Sequence, residues 1–188
     1  MHDLVATSPL GGPRPRTGNF GSVVISECPG WALASVAARR GKEKTMATSA
    51  KKLLGFALPG VSSLANNGTY TAFWTGPDQW MIEAPHASHE DLAEQIKSAL
   101  GDKASVTEQN DGWARFDLTG TGCHDVLERL CNANTRAMQT GAVTRTRLEH
   151  LGCFVICRAK NDHFSVIGPR SSAGSIHHAL TTAAKSAL

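Results

Sequence analysis

Arg145 and Arg147 stand two apart in the run Ala142 to Leu148, so on a strand their side chains project from one face. Two guanidiniums placed this way can clamp a carboxylate or phosphate bidentately, or pair with acidic side chains of a neighbouring chain. No other ligand-binding group accompanies them, which favours the neighbouring chain. Trp74 and Trp80 flank the turn Gly76-Pro77-Asp78. Indoles so placed pack across a hairpin by default, and otherwise form an exposed anchor for a partner. Arg145, Arg147, Trp74 and Trp80 are therefore the interface candidates.

Metal and nucleophile chemistry find less support. Cys153 and Cys157 share a strand face but lie roughly 13 Å apart along it, too far for one ion whose sulfur ligands sit about 2.3 Å away. His177 and His178 are adjacent on a helix and diverge by about 100°. His86 and His89 lie at a loop and a helix start with no cysteine beside them. The chain contains no Gly-x-Ser-x-Gly elbow and no Cys–His signature. Cys123 and Cys131 belong to an apolar helical stripe and read as inert small hydrophobes. Cys28 reads as the one exposed, reactive thiol. Thr119-Gly120-Thr121-Gly122 joins a strand to a helix, where amides can receive an anion. It lacks the third glycine of a dinucleotide fingerprint and the lysine of a phosphate loop, so a tight turn plus helix cap accounts for it. No catalytic, metal or cofactor-binding residue is assigned on this basis.

The elements that must position these residues follow from punctuation and period. Trp31 to Ala38 is a strand, and Met46, Ala50, Leu53 and Leu54 then fall on one helical stripe, with Pro59 and Gly60 as the stop. Tyr70 to Thr75 and Gln79 to Glu83 form a hairpin about Gly76-Pro77-Asp78. A helix from about Ser88 carries Leu92, Ala93, Ile96, Ala99 and Leu100 inward, and Lys103 to Gln109 is a strand. That order is the split, ferredoxin-like βαββαβ pattern. A related βαβββα half follows. It comprises a strand Trp113 to Leu118, a helix with Cys123, Val126, Leu127, Leu130 and Cys131 inward, and strands Ala142 to Leu148, Gly152 to Arg158 and His163 to Ile167. A last helix opens at Pro169 and Ser171. The middle of the three strands is apolar on both faces and should be internal to its sheet. The expected architecture is α+β: residues 31–110 as a ferredoxin-like subdomain and 111–188 as a second α+β subdomain sharing the core. Residues 1–30 precede them as an irregular arm, of which 1–20 should be ordered only against a partner.

The composition is that of a soluble globular protein, with 41% hydrophobic and 19% charged residues in 188. No apolar run approaches the roughly 18 residues of a membrane helix. The first 20 residues carry no secretory pattern, and five irregularly spaced cysteines suggest reduced thiols in the cytoplasm. Charge is segregated: +5 over residues 1–60, −6 over 61–112 and +4 over 113–188. Such a distribution can orient a chain against larger partners. The acidic middle and the lack of an aromatic–basic motif speak against nucleic acid, and no membrane contact is expected.

Several short runs resemble one family. Trp74-Thr75-Gly76-Pro77-Asp78-Gln79-Trp80 leading to Glu83-Ala84-Pro85 looks like a segment of the gamma subunits of bacterial heterotetrameric sarcosine oxidases. Leu58-Pro59-Gly60, Asp117-Leu118-Thr119-Gly120, Arg145-Thr146-Arg147-Leu148 and Gly168-Pro169-Arg170-Ser171 match the same family in order and spacing, from about Trp31 to the C-terminus. That family resembles a reduced folate-binding aminomethyltransferase (glycine-cleavage T-protein) domain. Arg147-Leu148-Glu149 resembles the stretch in which the T-protein's glutamate helps hold folate, which makes Glu149 a vestigial folate candidate; His150-Leu151 departs from the usual small residues. The resemblance implies a non-catalytic gamma subunit associated with alpha, beta and delta subunits. The implied reaction is oxidative demethylation of sarcosine to glycine with hydrogen peroxide, the one-carbon unit leaving as formaldehyde or on tetrahydrofolate. FAD, FMN, NAD and zinc are implied on the other subunits and none on this chain. A free-standing folate-binding protein is the alternative, and an RNA-binding module a more distant one.

Overall fold

A computed structural model describes residues 5–188, which divide into two compact units: 30–110, and 5–29 together with 111–188. No helix among the described residues is long and apolar enough to cross a membrane.

In the continuous unit, β3 (Trp31–Ala38) leads to α1 (Glu43–Leu54). Next come β4 (Leu64–Asn66), the hairpin β5 (Thr71–Gly76) and β6 (Gln79–Pro85), α2 (Leu92–Leu100) and β7 (Ala104–Glu108). The sheet order is β4-β5-β6-β3-β7, the ferredoxin-like arrangement with β4 added at one edge. Met46, Ala50 and Leu54 of α1 and Leu92, Ile96 and Leu100 of α2 are buried against Ala32, Ala34, Val36 and Ile82. Two boundaries differ from the sequence reading. Helix α1 stops at Gly55, whose φ of +78° lets its amide return to the Lys51 carbonyl, well before Pro59. Helix α2 begins at Leu92, because His86–Ser88 turns as a short 3-10 segment first.

The discontinuous unit holds a six-stranded antiparallel sheet in the order β1-β2-β8-β11-β10-β9. Its strands are β1 (Thr17–Phe20), β2 (Val23–Glu27), β8 (Trp113–Thr119), β9 (Val143–Leu148), β10 (Leu151–Ala159) and β11 (His163–Pro169). Helices α3 (Cys123–Glu128) and α4 (Ala173–Ala187) lie on one face. Val23, Ile25, Phe116, Leu118, Val155, Phe164 and Val166 meet Val126, Leu127, Ile176 and Leu180 there. Each fully buried side chain of this size contributes about 1.5–3 kcal/mol. The βαβββα order is as the pattern of residues 113–188 predicts, and β10 lies between β9 and β11. Helix α3 is shorter than its apolar stripe. It ends at Glu128, leaving Leu130 and Cys131 half-buried in the loop beyond.

The N-terminal stretch departs most from expectation. Residues 1–4 lie outside the described residues, but residues 5–29 of the expected irregular arm are built into the unit. Val23 and Ile25 alternate inward, and β2 pairs with β8 from Val24↔Thr119 to Glu27↔Phe116. Glu27 is 4% exposed and accepts the Leu10 amide at 2.8 Å and the Arg16 amide at 2.9 Å, so one carboxylate holds both ends of the preceding loop. The contacts that fasten the loop from Leu10 to Arg16 thus come from within this chain.

Candidate functional site

The turn Glu149-His150 joins β9 to β10 and places both arginines. Register pairs Arg145 with Phe154 and Arg147 with Gly152. Glu149 adopts φ +54°, and its amide donates to the Leu130 carbonyl at 3.0 Å, tying the turn to the loop after α3. Thr146, on the opposite face of β9, donates its hydroxyl to Asn132 Oδ1 of that loop at 3.1 Å. Two open depressions result. One, of about 610 Å³, is lined by Asn132, Arg145, Thr146, Arg147, His150 and Gly152. The other, of about 500 Å³, adjoins it, with Arg147 and Glu149 on its wall.

Both arginine side chains are exposed, and among the described residues neither has a carboxylate within ion-pair distance. The Arg145 guanidinium lies 5.7 Å from the centre of the Phe154 ring, a cation–π contact that holds it over the sheet. Gly152 leaves the space opposite Arg147 empty. The arrangement offers an anion several hydrogen-bond donors without a competing internal partner. It contains no nucleophile poised beside a base.

Trp74 and Trp80 belong to the continuous unit. They face each other directly across the β5–β6 hairpin, both half-buried, and Trp80 Nε1 donates to the Pro59 carbonyl at 2.8 Å. Trp80 also packs on the core beneath α1 and α2.

A polar cluster that sequence reasoning missed lies on the other face of β8 from α3 and α4. Arg115 is 7% exposed and grips Asp117 through Nε–Oδ1 and Nη2–Oδ2, both at 2.8 Å. Ser165 donates to Asp117 Oδ1 at 2.6 Å and accepts from Arg158 Nε at 2.9 Å, and His163 Nε2 stands 3.1 Å from Oδ2. Burial opposes ionisation of Asp117, but contacts from His163, Arg115 and Ser165 and the Arg115 charge outweigh it. They hold the carboxyl well below the usual range. The signal in the sequence was Arg115 and Asp117 at alternate positions of one strand, a pattern equally typical of a solvated face.

Cys28 corrects another expectation. It is half-buried beside this cluster, and burial together with the Asp117 charge pushes its thiol up to about 12, so it is not a reactive thiolate. Cys153, pushed up to about 11 by burial, and Cys157 fill the core with Cys123. No group of three His, Cys, Asp or Glu side chains among the described residues could hold a metal ion. The Thr119–Gly122 turn is steric in origin: Gly120 has φ +117°, and any side chain there would collide with the Ser22 carbonyl.

Neither a protein-family model nor a curated protein sequence matches the chain. Solved structures do. A chain of the heterotetrameric sarcosine oxidase from Corynebacterium sp. U-96, in complex with pyrrole 2-carboxylate, matches with a TM-score of 0.77 at 19% identity. The match covers 90% of this chain and 87% of that one. The glycine cleavage system aminomethyltransferase T from Bartonella henselae matches with a TM-score of 0.64 at 13% identity, over 97% of this chain but only 61% of its own length. The protein has the fold that these two share.

Proposed function

We propose that the chain is the non-catalytic gamma subunit of a heterotetrameric sarcosine oxidase, placed among alpha, beta and delta subunits in the cytoplasm. One observation carries the reading: the match to a sarcosine oxidase chain runs nearly end to end on both sides, whereas the aminomethyltransferase keeps more than a third of its length outside the match. The gamma-like runs from Trp74 to Pro85 and from Arg145 to Leu148 support it independently. Flavins, NAD and zinc then belong to the other subunits, and this chain supports the assembly that demethylates sarcosine. Co-expression with and without the chain tests this. A complex of the remaining subunits that is as stable and as active without it removes the reading, as does a prosthetic group co-purifying with the chain alone.

The shared wall formed by Arg147 and Glu149 favours a second reading, a chain that itself binds tetrahydrofolate. Here Glu149 would accept from amino groups of the pterin and the arginines would meet the carboxylates. Calorimetric titration of the isolated chain decides between the two: micromolar tetrahydrofolate binding that vanishes in Glu149→Ala establishes the second.

A further inference from the structure

Strand β9 is a sheet edge, and its pairing with β10 continues through six residues without a bulge. A two-residue turn makes Leu148 and Leu151 a hydrogen-bonded pair, and antiparallel alternation makes Thr146↔Cys153 and Thr144↔Val155 hydrogen-bonded as well. The Cys157 amide donating to Ala142 fits the same phase. Arg145 and Arg147 fall on the alternate, non-bonded positions, so their own amides and carbonyls point away from β10 toward the open edge. No described residue takes them up.

Edges are ordinarily protected by shortness, bulges, proline or charge. The other three edge strands are shorter: β1 has four residues, β4 three and β7 five. Strand β9 carries no proline and no bulge, and its charge is all of one sign. A strand added along Arg145 and Arg147 would present alternate side chains to the arginine face, with Gly152 leaving room behind Arg147.

We propose that β9 receives an extended acidic segment of a partner chain as a seventh, antiparallel strand, with carboxylates at alternate positions meeting Arg145 and Arg147. The identification of that partner as a large subunit rests on the gamma-subunit reading; the edge chemistry does not. Backbone pairing supplies the register, and charge complementarity selects an acidic segment over a neutral or basic one. Arg145 and Arg147 leave the strand about 7 Å apart, the repeat of alternate residues in the incoming chain.

The probe is a capped peptide alternating glutamate and threonine, titrated into the full chain and followed by amide exchange. The expected result is slowing of the Arg145 and Arg147 amides by about tenfold or more at saturation, with R145E/R147E losing peptide binding. A peptide N-methylated at its glutamates keeps every carboxylate but cannot pair, and should not bind. Equal binding by that peptide, or by one with lysine in place of glutamate, overturns the proposal. The assembled complex separates it from the subunit reading. An active assembly in which both amides exchange as fast as in the free chain refutes strand addition and leaves the subunit role standing. Peptide capture by a chain that joins no sarcosine oxidase subunits supports strand addition and refutes the role.

Discussion

Arg115 and Asp117, two residues apart on one strand, close a doubly hydrogen-bonded ion pair on a face where Ser165 beside them is fully buried. The pair is held by strand alternation, since both side chains leave β8 on the same side. Asp117→Ala strips the guanidinium of its bidentate partner, and removing one member of such a buried pair costs about 3–5 kcal/mol. Urea denaturation should show the variant's unfolding free energy lowered by that amount; a loss under about 1 kcal/mol would mean the pair is solvated in solution.

The same carboxylate predicts an acid dependence. Its folded pKa is depressed, so the stability it contributes is fully present above the unfolded value of about 3.9 and is lost as pH falls through the folded value. Between about pH 5 and pH 3 the wild type should lose more stability than Asp117→Asn, which has no proton to gain at that position. Parallel acid limbs would contradict the assignment.

Glu27→Ala should release the loop it fastens. Two backbone amides lose their acceptor, at about 1–3 kcal/mol, and Leu10 and Arg16 should exchange far faster while β2 and β8 stay protected. Unchanged exchange at both amides would show that the loop holds itself.

How much of this was legible in the sequence depends on the range of the interaction. Trp31–Ala38 and the hairpin about Pro77 and Asp78 were readable because alternation and turn chemistry are local. The common face of Arg145 and Arg147 was readable for the same reason. Val23 to Glu27 also alternates, but glycine- and proline-rich neighbours obscured it, and its partner strand lies far along the chain. The Arg115–Asp117–Ser165 cluster was hidden because Ser165 reaches Asp117 only through the β8–β11 register. Alternation shows that Asp117 leaves one face; it does not show whether that face meets water.

Cys28 should alkylate slowly. With its thiol pushed up to about 12, very little thiolate exists at pH 8, and iodoacetamide should label it at a small fraction of the rate seen for the same residue in denaturant. Prompt stoichiometric labelling in the folded protein would place Cys28 outside the influence of Asp117.

Gly120→Ala tests a backbone constraint. A φ of +117° is foreign to L-residues, and the methyl would meet the Ser22 carbonyl, so the cost should exceed the about 1–3 kcal/mol of conformational strain alone. Wild-type thermal stability in this variant would show that the turn can relax.

The insertion of residues 30–110 between β2 and β8 has a consequence for how the chain is made. On the ribosome the inserted unit emerges whole and can close on itself, whereas β2, with Val23 and Ile25 facing nothing, waits for β8, a separation of roughly ninety residues along the chain. During that interval its apolar face is a target for chaperones and for other nascent copies, so slow translation through the insert lengthens the period of risk.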